Sequence, residues 1–147
     1  MKSARFAAPL LLLAASCSSL GGGFHQETLM STGRVTVTAA LSRQPNAWSL
    51  RDIVASGPSV GSVRLQSLSV IAFADLDDDD KVGPEERRGA WSVSSNLGTQ
   101  RLAASGKIRV SEIGAEDNAA LKLEVRVRYW TLDSKLDEDV AVVPFGD

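Results

Sequence analysis

The chain has 147 residues, of which 16 are basic and 18 acidic, with one histidine and one cysteine and a formal charge of −2 at neutral pH. A single cysteine excludes a disulfide within the chain, so the fold must rest on a packed core, helped at most by a bound ion. The charge is mixed and shows no clustered basic face, which excludes the usual footprint of a nucleic-acid binder. One histidine leaves Ser–His and Cys–His nucleophile systems and catalytic zinc without their parts, and no spacing of carboxylates nominates a glycosidase pair, so no enzyme is expected.

At the start of the chain, Lys2 and Arg5 precede an apolar run from Phe6 to Ala15 that contains Leu10 to Leu13 in succession. The run is too short for a helix to cross a hydrocarbon core of ~30 Å, but it has the length of a signal-peptide core. Ala14, Ala15 and Ser16 then lead into Cys17. This arrangement resembles the lipobox of bacterial lipoproteins. The resemblance implies that residues 1–16 are a signal peptide, that Cys17 becomes the lipidated N-terminus and takes up palmitate, and that the exported protein is held to a membrane of the cell envelope by that lipid. Ser18 and Ser19 stand where an inner-membrane retention signal carries aspartate, which implies outer-membrane delivery, facing the periplasm or the cell surface. The competing reading is an ordinary secretory signal cut near Ala15. Lipidation would also remove an exposed thiol that is otherwise open to oxidation.

Residues 17–32, with Gly21 to Gly23 and several small polar side chains, read as a flexible tether, and His25 reads as a solvated linker residue. A single domain is expected over 33–147. Val35, Val37, Ala39 and Leu41 alternate with Arg34, Thr36, Thr38 and Ala40, as in a strand with one buried face. Gln44, Pro45 and Asn46 break the pattern, and Trp48 to Val54 fits a short helical turn or a strand. Val63 to Ala74 is long and β-rich; its apolar phase slips between Leu65 and Leu68, which predicts a bulge, and Val70 to Phe73 is apolar on both faces. Shorter strands are expected over Ala90 to Ser95 and over Arg101 to Glu112, with Gly106 as a weak point. Leu121, Leu123, Val125, Val127 and Tyr129 make the clearest strand, and Val140 to Phe145 the last. The predicted core comprises Val35, Val37, Val70, Ala72, Phe73, Val93, Ile108, Val110, Leu123, Val125, Val127 and Val142. Six or seven strands separated by turn signals predict an all-β fold, an antiparallel β-sandwich of immunoglobulin-like or transthyretin-like Greek-key type.

Between two of these strands lies the most acidic stretch, with five aspartates from Asp75 to Asp80 and two glutamates at Glu85 and Glu86. Its spacing resembles the twelve-residue calcium loop of EF-hands and of related loops in extracellular β domains. The resemblance implies carboxylate ligands at places 1, 3 and 5 from Asp75, Asp77 and Asp79, a backbone carbonyl at place 7 from Lys81, and a bidentate carboxylate at place 12 from Glu86. Asp80 occupies place 6, where the family has glycine and the backbone turns left-handed. The flanks read as strands, so a Ca²⁺ loop joining two strands is expected, and not a pair of signalling helices. A solvated acidic turn is the competing reading, since charge runs usually are one.

Trp130 shares a strand face with Arg126 and Arg128, a possible surface for a sugar ring or a protein partner; the competing reading is a tryptophan lying beside arginine stems. Two functions are thereby expected. The first is a calcium-pinned structural or protein-interaction role in the cell envelope. The second is a module binding a glycan or a small ligand.

Overall fold

The computed structural model describes residues 23–44, 47–58, 63–103, 106–111 and 120–144. The expectations for the signal segment, Cys17, Ser18, Ser19, Pro45, Asn46, Glu112 and Phe145 fall outside the described residues.

The alternation in the clearest stretch builds the centre of the fold. In β8 (Leu121–Trp130), Leu121, Leu123, Val125, Val127 and Tyr129 are buried, while Lys122, Glu124, Arg126, Arg128 and Trp130 face the other way. Each such aliphatic side chain contributes about 1.5–3 kcal/mol when fully buried. β8 pairs antiparallel along its whole length with β4 (Arg64–Ala74), from Arg64 opposite Trp130 to Ala74 opposite Leu121. The predicted phase slip in β4 is present: the register shifts between Leu65 and Ser67 against both neighbours, which keeps Leu65 and Leu68 in the core although they are three residues apart.

β5 (Arg87–Thr99) flanks β4 on its other side and β9 (Leu136–Pro144) flanks β8, giving a four-stranded sheet, here sheet B, in the order β5-β4-β8-β9. The second sheet contains β1 (His25–Ser31), β2 (Thr36–Gln44) and β3 (Ala47–Ser56), with both β6 (Arg101–Ala103) and β7 (Lys107–Ser111) paired to β3. All pairings are antiparallel. The buried side chains of the two sheets form one core, an all-β sandwich as the sequence predicts. At one corner β5 lies close to β7. A Cβ on Gly89 would stand 2.8 Å from Ile108, and one on Gly106 would stand 2.0 Å from the indole nitrogen of Trp91, so both positions must be glycine for that closure.

Several expectations are corrected. Residues 25–31, read as the end of the tether, form strand β1, and Leu29 and Met30 are core residues. A register shift between Thr28 and Met30 buries two consecutive side chains, which hides the period of two. His25 is accordingly no linker residue: its Nε2 lies 3.1 Å from Glu27, whose carboxylate also accepts from Arg43 at 2.8 Å. Trp48 to Val54 belongs to β3, and the stretch from Arg101 holds two strands, so the described residues form nine strands where six or seven are expected. In the last strand Ala141 and Val143 meet the core, while Val142 stands opposite Glu124 on the outer face. Phe73 is fully buried as expected, although it packs beside the main cluster, at a position opposite Lys122 and Arg87.

Replacing Leu123 with alanine is expected to cost about 2–5 kcal/mol, because the cavity forms where both sheets meet. Ser92→Ala, on the exposed face of β5, should stay within about 0.5 kcal/mol. Urea denaturation of the two variants checks the difference.

Candidate metal centre

The acidic loop leaves sheet B at the end of β4 and returns into β5. Its two ends are held by backbone bonds: Ala74 N–H donates to the Glu86 carbonyl at 2.9 Å, and Asp75 N–H donates to the Ala120 carbonyl at 2.9 Å. Asp75 is only 5% exposed, so its charge needs partners within the protein. It has three. Oδ1 accepts from the Asp79 amide at 3.1 Å, and Oδ2 accepts from the Asp80 amide at 3.0 Å and from Lys122 Nζ at 2.7 Å. The two amide bonds curl the chain around the Asp75 carboxylate, with Asp78 and Asp80 both in the left-handed region, at φ 57° and 59°.

The far side of the loop closes by a reciprocal pair. Gly83 N–H donates to Glu86 Oε1 at 2.9 Å, and Glu86 N–H donates to the Gly83 carbonyl at 3.1 Å. Glu86 is 7% exposed. The result is that ligand oxygens of Asp75, Asp77, Asp79 and Glu86 all lie within 4.8 Å of one another, a group able to hold a metal ion. These are the four carboxylates that the spacing nominates. The Lys81 side chain is exposed, and its amide donates to Asp79 Oδ1 at 3.0 Å. Asp78, at place 4, is not one of the four; its side chain is 92% exposed, and its Oδ1 lies 3.6 Å from Lys122 Nζ.

Electrostatics divide the aspartates. Burial would raise the Asp75 carboxyl, but the Lys122 ammonium and the Asp80 and Asp79 amides overcome it and hold the pKa down to about 2. Asp77 shows the opposite. Loss of solvent, followed by its hydrogen bonding and repulsion with Asp79 and Glu86, pushes it up to about 6. Three mutually repelling carboxyls are relieved by a proton or by a cation. Burial opposes the charge on Lys122, yet Asp75 and Asp80 more than offset this and keep its pKa well above the usual lysine range.

Lys122 is the residue that reading the sequence missed. It lies on the outer face of β8, 47 positions from Asp75, and also meets Asp80 Oδ1 at 2.6 Å. That second contact gives a physical reason for aspartate at place 6. Its side chain reaches Lys122, which glycine would not do, although glycine accepts the left-handed backbone at lower cost.

The possible ligand surface is less open than the sequence suggests. Trp130 is half-buried; the Arg64 guanidinium lies 5.2 Å from the centre of its ring, and a Cβ on Gly98 would stand 3.4 Å from the ring edge. Arg126 is engaged by Glu138 at 2.9 Å and Glu124 at 3.5 Å, which leaves Arg128 as the exposed one of the two arginines.

Lys122→Met leaves the Asp75 carboxylate buried without its counter-charge and should cost about 3–5 kcal/mol at neutral pH. A depressed carboxyl contributes stability above its unfolded pKa of about 4, which is lost as pH falls through the folded value near 2. The gap between wild type and variant should therefore be full at about pH 7 and clearly smaller at about pH 3, as denaturant titration at the two pH values would show.

Comparison with family models, with curated proteins and with solved structures finds no match to this chain.

Proposed function

We propose that the chain is an exported, lipid-anchored β-sandwich protein of the cell envelope, pinned by one calcium ion at the Asp75 to Glu86 loop, with a structural or protein-interaction role. The observation that carries the metal is the convergence of four carboxylates within 4.8 Å. Calcium–oxygen distances are about 2.4 Å, so opposite ligands of one ion stand about twice that far apart. The smaller Mg²⁺ demands a tighter octahedron at about 2.1 Å and gives up its waters reluctantly. An all-oxygen donor set favours a hard cation over zinc or copper. Asp75 Oδ1 accepts a single hydrogen bond, from Asp79, which leaves it a lone pair for an ion.

In this reading the ion serves as a pin. The loop connects two neighbouring strands of one sheet, β4 and β5, and no helix pair is attached to it that an ion could reorient. A site of modest affinity suffices outside the cytoplasm, where extracellular modules bind at about 10⁻⁴–10⁻³ M. The anchor rests on the order of residues alone: Lys2 and Arg5, the apolar run, then Ala14 to Cys17. The glycan reading needs an open aromatic face, and at Trp130 the Arg64 guanidinium covers part of it.

Calcium should raise the melting temperature of the protein, with Mg²⁺ acting weakly. At ~100 times the dissociation constant the gain corresponds to roughly 2.7 kcal/mol. Glu86→Gln should remove most of it, whereas Asp78→Asn should change little. An unchanged melting temperature in about 5 mM calcium, above the range of extracellular sites, would reduce the loop to a solvated turn.

The anchor is tested separately. Cys17→Ala should abolish incorporation of labelled palmitate and release the protein from membranes. Continued labelling of that variant would refute the lipobox reading.

A further inference from the structure

Four large hydrophobic side chains are exposed among the described residues, and three of them gather at the end of sheet B opposite the acidic loop: Leu97 at 85%, Leu132 at 80% and Leu136 at 46%. Trp130 is their centre. Leu136 is its direct partner in the β8–β9 register. Leu132 lies two residues beyond it, in the turn closed by Thr131 N–H donating to the Lys135 carbonyl at 2.9 Å. Leu97 precedes Gly98, which approaches the indole ring. It protrudes because β5 leaves its register here: Ser94 pairs with Ser67 and Thr99 with Leu65, so residues 95–98 bulge outward.

A cationic rim surrounds these side chains. Arg64 stacks on Trp130, Arg128 precedes Trp130 on the same face, Lys135 sits in the hairpin turn, and Arg101 opens β6 two residues after Thr99. All four are exposed, and among the described residues no carboxylate forms an ion pair with any of them. The acids nearby offset this charge only in part. Asp137 pairs with Arg34 at 3.2 Å, Glu138, which stands opposite Arg128, pairs with Arg126 at 2.9 Å, and Asp133 accepts from the neutral Thr131 hydroxyl and keeps its charge. Four cations thus face the one unpaired carboxylate of Asp133 in the hairpin turn, and an otherwise acidic chain carries a net positive tip around apolar side chains.

We infer that this tip, Leu97, Leu132, Leu136 and Trp130 with its rim of Arg64, Arg101, Arg128 and Lys135, docks on an anionic lipid surface. Its shape selects that partner. A hairpin turn and a strand bulge project outward and offer no groove for a peptide. Leucines at such points enter the headgroup layer, a tryptophan settles at its boundary, and the rim meets the phosphates. Charge complementarity requires the surface to be anionic. The inference stands apart from the calcium loop and from any lipid on Cys17.

The test uses the full chain carrying Cys17→Ser and Leu132→Cys, labelled at residue 132 with an environment-sensitive fluorophore. A second chain carries Cys17→Ser and Ser92→Cys, labelled on the same sheet away from the tip. Vesicles of phosphatidylglycerol should shift the residue 132 label to the blue and brighten it several-fold, while vesicles of phosphatidylcholine should not. The label at residue 92 should stay in water with both. Arg64→Gln with Arg128→Gln, at exposed positions that leave the circular dichroism unchanged, should weaken partition roughly thirty-fold. A residue 132 label that ignores phosphatidylglycerol, as expected if the true partner is an acidic protein, would overturn the inference. So would equal responses at 132 and 92, or equal responses to the two lipids.

Discussion

The Asp75 carboxylate sits at the end of β4 with almost no access to water, and the loop that follows is arranged around its charge. A buried carboxylate is tolerated only with charge-assisted bonds, and Asp75 obtains them from two directions. Lys122 reaches it from the neighbouring strand, and the Asp79 and Asp80 amides reach it from the loop itself. The first contact ties the loop to the sheet. The second bends the chain so that Asp77, Asp79 and Glu86 come to share one small volume. With Asp75 already compensated, the excess negative charge falls on the other three, which is why Asp77 is the carboxyl pushed up to about 6.

This arrangement depends on the register of the sheet. Lys122 is the second residue of β8, opposite Phe73, and the unbroken pairing from Ser67 to Ala74 sets where its ammonium arrives. The Leu65–Ser67 irregularity lies at the other end of the same strand, so it leaves the Lys122 end undisturbed. The two ends of sheet B consequently differ in chemistry. One carries concentrated negative charge beside a buried aromatic, and the other carries Trp130 and exposed leucines within a positive rim. Between them the serines Ser67, Ser69, Ser92 and Ser94 face one another across β4 and β5.

Much of this was legible in the sequence where a single physical rule governs. β8 alternates strictly because it is buried on one face only, and the slip in β4 shows as a break in period. The four carboxylates could be nominated because a loop ligand set is local: spacing along the chain fixes spacing around an ion. The misses occur where the determinant is non-local. β1 was hidden by the bulge that buries Leu29 beside Met30, and by polar neighbours that resemble a linker. β6 and β7 pair with separate stretches of β3, Val54 to Ser56 and Ala47 to Arg51, a division set by pairing between strands. Lys122 looked like any outward-facing strand lysine, since only the β4–β8 register reveals what stands beside it. Val140 to Val143 is apolar throughout, so Val142 reads as a core residue, and only its pairing with Glu124 decides which face it takes.

In the proposed reading one cation is held by Asp75, Asp77, Asp79 and Glu86. The most direct measurement is a calcium titration followed by amide NMR. The Asp79, Asp80 and Gly83 amides report on the carboxylates they already donate to, Asp75 for the first two and Glu86 for the third. Binding at this site should give large shifts at these amides that saturate with one ion per chain, while those of Ser92 to Ser94 stay still. Small shifts that never saturate, spread over the acidic residues of the whole surface, would contradict it.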